Sequence, residues 1–239
     1  MIDNFDGIVQ STFQISFNGT IGTAFCVRVS LSYIGFLTCK HLFDSVEDKS
    51  VVDISITTMD DDIQYQGRLF LSDTDDAAFV LIENEDFVCR FNTIDIGIRS
   101  YVNMGDEVFT VGFPFIFKKN IYNDSFVIGD ARYPMGIFRH GYVASVRFSD
   151  KDDMTQSGRI LLDLYNNIGF SGSLVFRKAY NSNNMRVCYA PIGLLAGYYY
   201  DKHKVDGVSK IDDHANSHIA YCASFSGLLD KVILSLGLV

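Results

Sequence analysis

Apolar residues recur along this chain in short bursts, punctuated by Gly, Asn and Asp. Bursts occupy 8–17, 24–31, 34–39, 51–57 and 63–71, and further ones 77–82, 108–112, 141–148, 160–164, 173–177, 187–196 and 219–223. Each has the length of a strand rather than of a helix. In Phe13-Gln14-Ile15-Ser16-Phe17 the apolar and polar positions alternate, which puts three apolar side chains on one face of a strand. Asn18-Gly19 follows directly, the pair that best suits a tight hairpin turn because both positions tolerate a left-handed backbone. Many short strands at this spacing predict an all-β sandwich or barrel.

One segment has a different period. Leu228, Leu229, Val232, Ile233 and Leu236 form a helical stripe, with Ser226 as its expected N-cap and Gly237 as its stop. The prediction is therefore an all-β chain with a C-terminal helix over 226–237. A composition shift near 95–105, ending in Asn103-Met104-Gly105-Asp106, marks the expected hinge between two halves.

A length of 239 residues suffices for one large β unit or two small barrels sharing an interface. The net charge of −9 is spread in small acidic clusters, such as Asp60-Asp61-Asp62, and no basic stripe is visible. That argues against a nucleic-acid backbone as partner. No apolar run approaches the roughly 18 residues of a membrane helix, and the first residues lack the pattern of a secretory signal. Cys26, Cys39, Cys89, Cys188 and Cys222 are odd in number, without CxxC spacing, and read as free thiols in a reducing compartment. The expectation is a soluble cytoplasmic protein that needs neither nucleic acid nor membrane.

Candidate chemistry centres on Gly169-Phe170-Ser171-Gly172, a serine between glycines just before a strand. A serine hydroxyl becomes a useful nucleophile only when an imidazole takes its proton and a carboxylate fixes that imidazole's tautomer. Among five histidines, His41 stands apart because it ends the apolar run 35–40 and is followed by Leu42-Phe43. Asp76 precedes the almost continuously apolar 77–82, and an acid at the mouth of a buried strand is costly unless paired. Each of these has an ordinary structural alternative: a plain turn for Ser171, a core histidine for His41, a turn cap for Asp76.

Their order along the chain resembles that of the chymotrypsin-like (trypsin-like) serine endopeptidases, nearer the compact bacterial branch. Gly22-Thr23-Ala24-Phe25 looks like the family's GSGF, and Phe36-Leu37-Thr38-Cys39-Lys40-His41 is similar to its LTAAH histidine motif. Asp76-Ala77-Ala78-Phe79-Val80-Leu81 resembles the strand that opens on the family's aspartate. The stretch 105–114, GDEVFTVGFP, looks like the strand that opens the second barrel. Gly169-Phe170-Ser171-Gly172-Ser173 matches GxSGG/S, and Gly193-Leu194-Leu195-Ala196-Gly197 looks like GIVSG.

The resemblance implies two six-stranded antiparallel β-barrels with a C-terminal helix. An N-terminal barrel over 1–98 would carry His41 and Asp76, and a C-terminal barrel over 99–239 would carry Ser171. Ser171 would be nucleophile, His41 general base and then acid, and Asp76 the orienting carboxylate. The amides of Gly169 and Ser171 would form the oxyanion hole. Leu195, Ala196 and Gly197 would pair with an extended protein or peptide substrate. A pocket for the residue before the cleaved bond would lie between Tyr165, Asn167 and Ile168 on one side and Ala196 to Tyr198 on the other. No acid is placed at its base, so a preference for Lys or Arg is not supported.

Departures from the pattern are Cys39-Lys40 where small residues are usual before the histidine, and Phe170 where Asp or Asn is common. No cofactor is implied. A silent binding module of the same fold, or a zymogen-like form switched on by a regulatory protein partner, are the alternatives. His214 and His218, four apart beside Asp212 and Asp213, would suit a helical metal pair, but further ligands at a recognisable spacing are lacking, so no metal site is expected.

Overall fold

The protein, seen as a computed structural model, is described over residues 5–30, 32–57, 62–82, 102–113, 136–147, 159–166, 169–181, 186–205 and 208–238. Twelve strands form two closed antiparallel barrels of six. The first holds β1 (Thr12–Phe17), β2 (Thr20–Arg28), β3 (Ile34–Thr38), β4 (Val51–Thr57), β5 (Asp62–Leu71) and β6 (Ala78–Ile82) in the order β1-β2-β3-β6-β5-β4. The second holds β7 (Glu107–Gly112), β8 (Ile137–Arg147), β9 (Arg159–Asp163), β10 (Leu174–Asn181), β11 (Arg186–Val205) and β12 (Val208–Ala223). Its order, β7-β8-β9-β12-β11-β10, repeats the connectivity of the first barrel strand for strand.

The hairpin expected at Asn18-Gly19 forms, with φ of 47° and 83° at the two turn residues and Phe17 paired to Thr20 across them. At the start of the chain the strand-like reading of 8–17 holds only from Thr12. Residues Phe5–Gln10 form a short helix, α1, which buries Ile8, and Thr12 Oγ1 donates to the Ile8 carbonyl at 2.7 Å. The expected C-terminal helix is α2 (Ser226–Ser235). Phe225 precedes it and Ser226 is its first residue, so the serine does not cap it.

Side-chain alternation sorts the core into three parts. On β2, Ala24 and Cys26 point into the first barrel while Phe25 and Val27 point the other way. On β6, Ala78, Val80 and Ile82 face the barrel interior, whereas Phe79 and Leu81, with Ala77 just before the strand, face a second cluster. That second cluster also takes in Val111, Leu174, Phe176 and Leu194 of the second barrel together with Phe225, Leu228 and Val232, so it is the interface between barrels. A strand buried on both faces must be apolar throughout, which is why 77–82 shows no alternation. Phe25 and Phe176 meet edge to face across this interface, with ring centroids 5.6 Å apart. A third cluster, including Val108, Val143, Leu162 and Leu195, fills the second barrel.

The helix α2 follows the second barrel in sequence but docks on the first. Lys231 donates to the Leu71 carbonyl at 2.9 Å and pairs with Asp48 at 2.9 Å and Asp73 at 3.2 Å. The described cysteines, Cys26, Cys39, Cys188 and Cys222, are buried free thiols; Cys89 and the predicted hinge near 95–101 lie outside the described residues. Burial pushes the Cys26 thiol up to about 12, so it packs as a neutral apolar group.

Candidate active site

Strand β3 ends at Thr38, and Lys40–Phe43 turns at once into one 3-10 turn. Leu42 and Phe43 are buried in the first barrel, which leaves His41 exposed on the rim. Asp76 sits just before β6, the neighbour of β3, so strand pairing alone brings the two side chains together. His41 Nδ1 lies 2.7 Å from Asp76 Oδ2, and the His41 backbone N–H donates to Asp76 Oδ1 at 2.9 Å. One carboxylate thus holds both the ring and the main chain of the histidine.

The electrostatics agree with an ion pair that keeps its carboxylate charged. The hydrogen bond to Asp76 raises the His41 pKa above its ordinary 6.5, against the opposing effect of burial. Burial pushes Asp76 up, but hydrogen bonds from the His41 side chain and from the His41 and Lys40 backbones outweigh it and hold the carboxyl below 3.8. Lys40 itself turns away, its Nζ donating to the Ser72 carbonyl at 3.0 Å, so its charge is engaged on the loop that carries Asp76.

Ser171 comes from the other barrel. Gly169 and Gly172, on either side of it, have φ of 96° and 90°, backbone conformations that side chains with a Cβ rarely adopt. At Gly172 space forbids a Cβ as well: one would run into the Thr23 carbonyl and Thr38 Oγ1 and stand 3.1 Å from the Cys39 nitrogen. The serine turn is therefore pressed against the end of β3, just ahead of the turn that carries His41. Thr23 fastens it there. Its N–H donates to the Ser171 carbonyl at 2.8 Å, and its hydroxyl donates to the Gly169 carbonyl at 2.8 Å and accepts from Phe113 N–H at 3.0 Å. All three groups are buried or half-buried, so the bonds are shielded from water.

Inside the turn, Gly172 N–H donates to the Leu195 carbonyl at 2.9 Å and Ser173 N–H to the Phe170 carbonyl at 2.9 Å. Among the described residues no acceptor is paired with the N–H groups of Gly169 or Ser171. Leu195 N–H donates back to Ser173 at 2.8 Å, and Cys39 Sγ lies 3.4 Å from the Leu195 carbonyl that also receives Gly172. Leu195 and Ala196 are buried and Gly197 is half-buried against the Tyr221 ring. Strand β11 pairs with β10 only up to Leu194, whereas its other edge continues along β12. The edge at 196–198 is thus left open among the described residues, whereas both backbone groups of Leu195 are already taken by the serine turn.

Of the other residues singled out in the sequence, Tyr165 is 41% exposed on the stretch leading to the serine turn. Asn167 and Ile168 lie outside the described residues, and of Tyr198 only the backbone, within β11, is described. His214 and His218 both fall on β12. Four residues along a strand span about 13 Å, so the helical metal spacing does not apply there. Cys39, His41 and Asp76 do present possible ligand atoms within 4.8 Å of one another. Burial and the nearby Asp76 carboxylate push the Cys39 thiol well above 9.0, Gly172 N–H opposing, which keeps it protonated as a donor toward Leu195.

Two residues here were not among those selected from the sequence. Thr23 appeared there only as part of a motif, although it carries the serine turn. Arg139 was not singled out there at all, yet its guanidinium carbon lies 5.4 Å from the Tyr165 ring centre and 5.6 Å from that of Phe170.

One closed barrel thus carries a histidine–aspartate pair on its rim, and the other a serine turn held on Thr23 and packed against Thr38 and Cys39 of the first. Residues 22–182 match the family model of the trypsin-like peptidase domain, a span that includes His41, Asp76 and Ser171 and stops short of the GIVSG-like segment. No match was found among curated proteins. Because the family match covers more than half of the 239 residues, this chain belongs to the trypsin-like peptidase family.

Proposed function

We propose that this trypsin-like peptidase is a serine endopeptidase, hydrolysing peptide bonds through Ser171, His41 and Asp76 and an acyl-enzyme intermediate. The observation that carries the reading is the 2.7 Å contact of His41 Nδ1 with Asp76 Oδ2. It occupies Nδ1 with a carboxylate and leaves Nε2 to exchange protons at the serine turn.

Ser171 Oγ attacks the scissile carbonyl while His41 takes its proton. The imidazolium then gives that proton to the leaving amine, and a water molecule repeats the cycle to release the acid. Asp76 stays ionised throughout, in keeping with its lowered pKa. The N–H groups of Gly169 and Ser171 receive the oxyanion, and a donor of this kind is worth about 2.7–4 kcal/mol of barrier. The substrate lies extended along the open edge of β11 at 196–197 as an added strand, since the Leu195 backbone is spent on the serine turn. In this reading the unit 1–98 supplies the base and its carboxylate, and the unit 99–239 supplies the nucleophile and the substrate edge.

A peptidase of this kind working in the cytoplasm needs restraint, either from a narrow pocket or from a regulatory partner. A fluorophosphonate probe tests the chemistry directly. The protein should be labelled at Ser171, and both Ser171→Ala and His41→Ala should abolish labelling. Silence of the wild-type protein under all conditions would favour a binding module instead.

A further inference from the structure

Along β8 the side chains alternate. Phe138 and Tyr142 are 47% and 50% exposed, whereas Val143 is buried in the second barrel and Ile137 packs against the same core. Arg139 shares the inward face with Ile137, Gly141 and Val143, opposite buried Thr110 on β7. An arginine on the inner face of a barrel is costly unless something takes its charge. Among the described residues no carboxylate pairs with it, in a chain where 29 acids outnumber 20 bases. Its Nε is sealed from solvent without a hydrogen-bond partner.

What holds the guanidinium is stacking, on Tyr165 and on Phe170. Stacking covers the flat faces of the group and leaves the in-plane N–H edges for an acceptor. Phe170 immediately precedes Ser171, and Tyr165 is the exposed residue of the stretch that leads into the serine turn. The cation therefore stands behind the turn, on a strand rather than a loop, 5.6 Å from the ring of the residue that precedes Ser171.

We infer that Arg139 is a specificity-determining residue and that the residue before the cleaved bond is acidic, glutamate or aspartate. The inference rests on the endopeptidase reading above and deepens it by naming the substrate class. A carboxylate would accept from the free guanidinium edge, a charge-assisted pair in a site sheltered by two aromatic rings. A lysine or arginine side chain in the same place would meet a like charge.

Calorimetry on the Ser171→Ala protein separates this from the chemistry, because it needs no turnover. Product-like peptides ending in Glu and in Gln differ only in the side-chain charge. The Glu peptide should bind about five- to fifteen-fold more tightly, the size of a charge-assisted bond over a neutral one. Arg139→Met keeps an apolar stem beside the rings and removes the charge, and it should erase that difference, with the Glu peptide losing far more affinity than the Gln peptide. Arg139→Lys, a second variant that keeps the charge, should retain part of the preference. Equal binding of the two peptides by the Ser171→Ala protein, or an unchanged preference in Arg139→Met, overturns the inference. Loss of fluorophosphonate labelling in the wild-type protein instead strikes the endopeptidase reading, which the binding arm does not touch.

Discussion

Protonated His41 strengthens its contact with Asp76, whereas a general base must be neutral. The two pKa shifts turn this into a pH dependence with opposite signs for stability and rate. His41 is raised in the fold, so its contribution to stability is complete below 6.5 and fades as pH rises through the folded value. Asp76 is lowered, so its contribution is complete above 3.8 and fades as pH falls through its folded value. The pair therefore stabilises most between those limits. Peptide hydrolysis should instead climb with pH, with an acid-limb midpoint above 6.5 in kcat/KM of the free enzyme. Asp76→Asn should lower kcat by about 10⁴-fold, since the ring loses the partner that sets its tautomer. It should also move that midpoint down, and a pH profile with an unmoved midpoint would count against the role given to Asp76.

Thr23 belongs to the same scale. Thr23→Val keeps the volume but removes the hydroxyl that joins the Gly169 carbonyl to Phe113 N–H. Leaving those buried groups without a partner should cost about 1–3 kcal/mol of unfolding free energy, read by denaturant titration. If the hydroxyl positions the serine turn, fluorophosphonate labelling should slow as well, at a denaturant concentration where the variant is fully folded. His41 and Asp76 could be read from sequence because each has a short signature: an imidazole ending an apolar run, an acid opening one. Thr23 could not, since its work is done across the barrel interface, 146 residues from Gly169. Arg139 escaped for a related reason. The strand was expected to begin at 141, and a residue placed ahead of a strand has no inward or outward face to read.

At the scale of elements, the strand positions were legible and the strand ends were not. The run 51–57 was recovered as β4 in full, because alternation, β-branched residues and polar flanks coincide there. Strand β12 runs over Val208–Ala223, although 208–218 is too polar to show a period and only 219–223 was expected. Its pairing with β11, from Val205↔Val208 to Leu194↔Ala223, sets its length instead. The helix α2 was legible from its stripe, but its docking on the first barrel was not, for that depends on Lys231 meeting Leu71, Asp48 and Asp73. Lys231→Met keeps the stem over the apolar surface and removes the three polar contacts. Asp73 is largely exposed, so its share is small, and the loss should be about 1 kcal/mol. Added salt should narrow the gap between Lys231→Met and wild type in thermal melts; a gap independent of salt would mean that the ion pairs contribute little.

For the molecule as a whole, composition and strand count predicted the class, and the resemblance predicted the double barrel that the structure shows. The shared connectivity of the two barrels was invisible, because no repeat survives in the side chains. Strand order is a property of backbone pairing, and many sequences satisfy it. The interface was legible only in outline. The unbroken apolar stretch before residue 82 signalled burial on both faces, without saying what lay on the second.

Because the serine turn hangs from Thr23, the proposed reactivity and the proposed taste would be governed from different places. Changes on β8 could redraw which peptides are accepted while the hydroxyl keeps its station, held by a barrel that β8 does not belong to. Mutations that loosen the first barrel would do the reverse, dulling the enzyme toward every peptide alike.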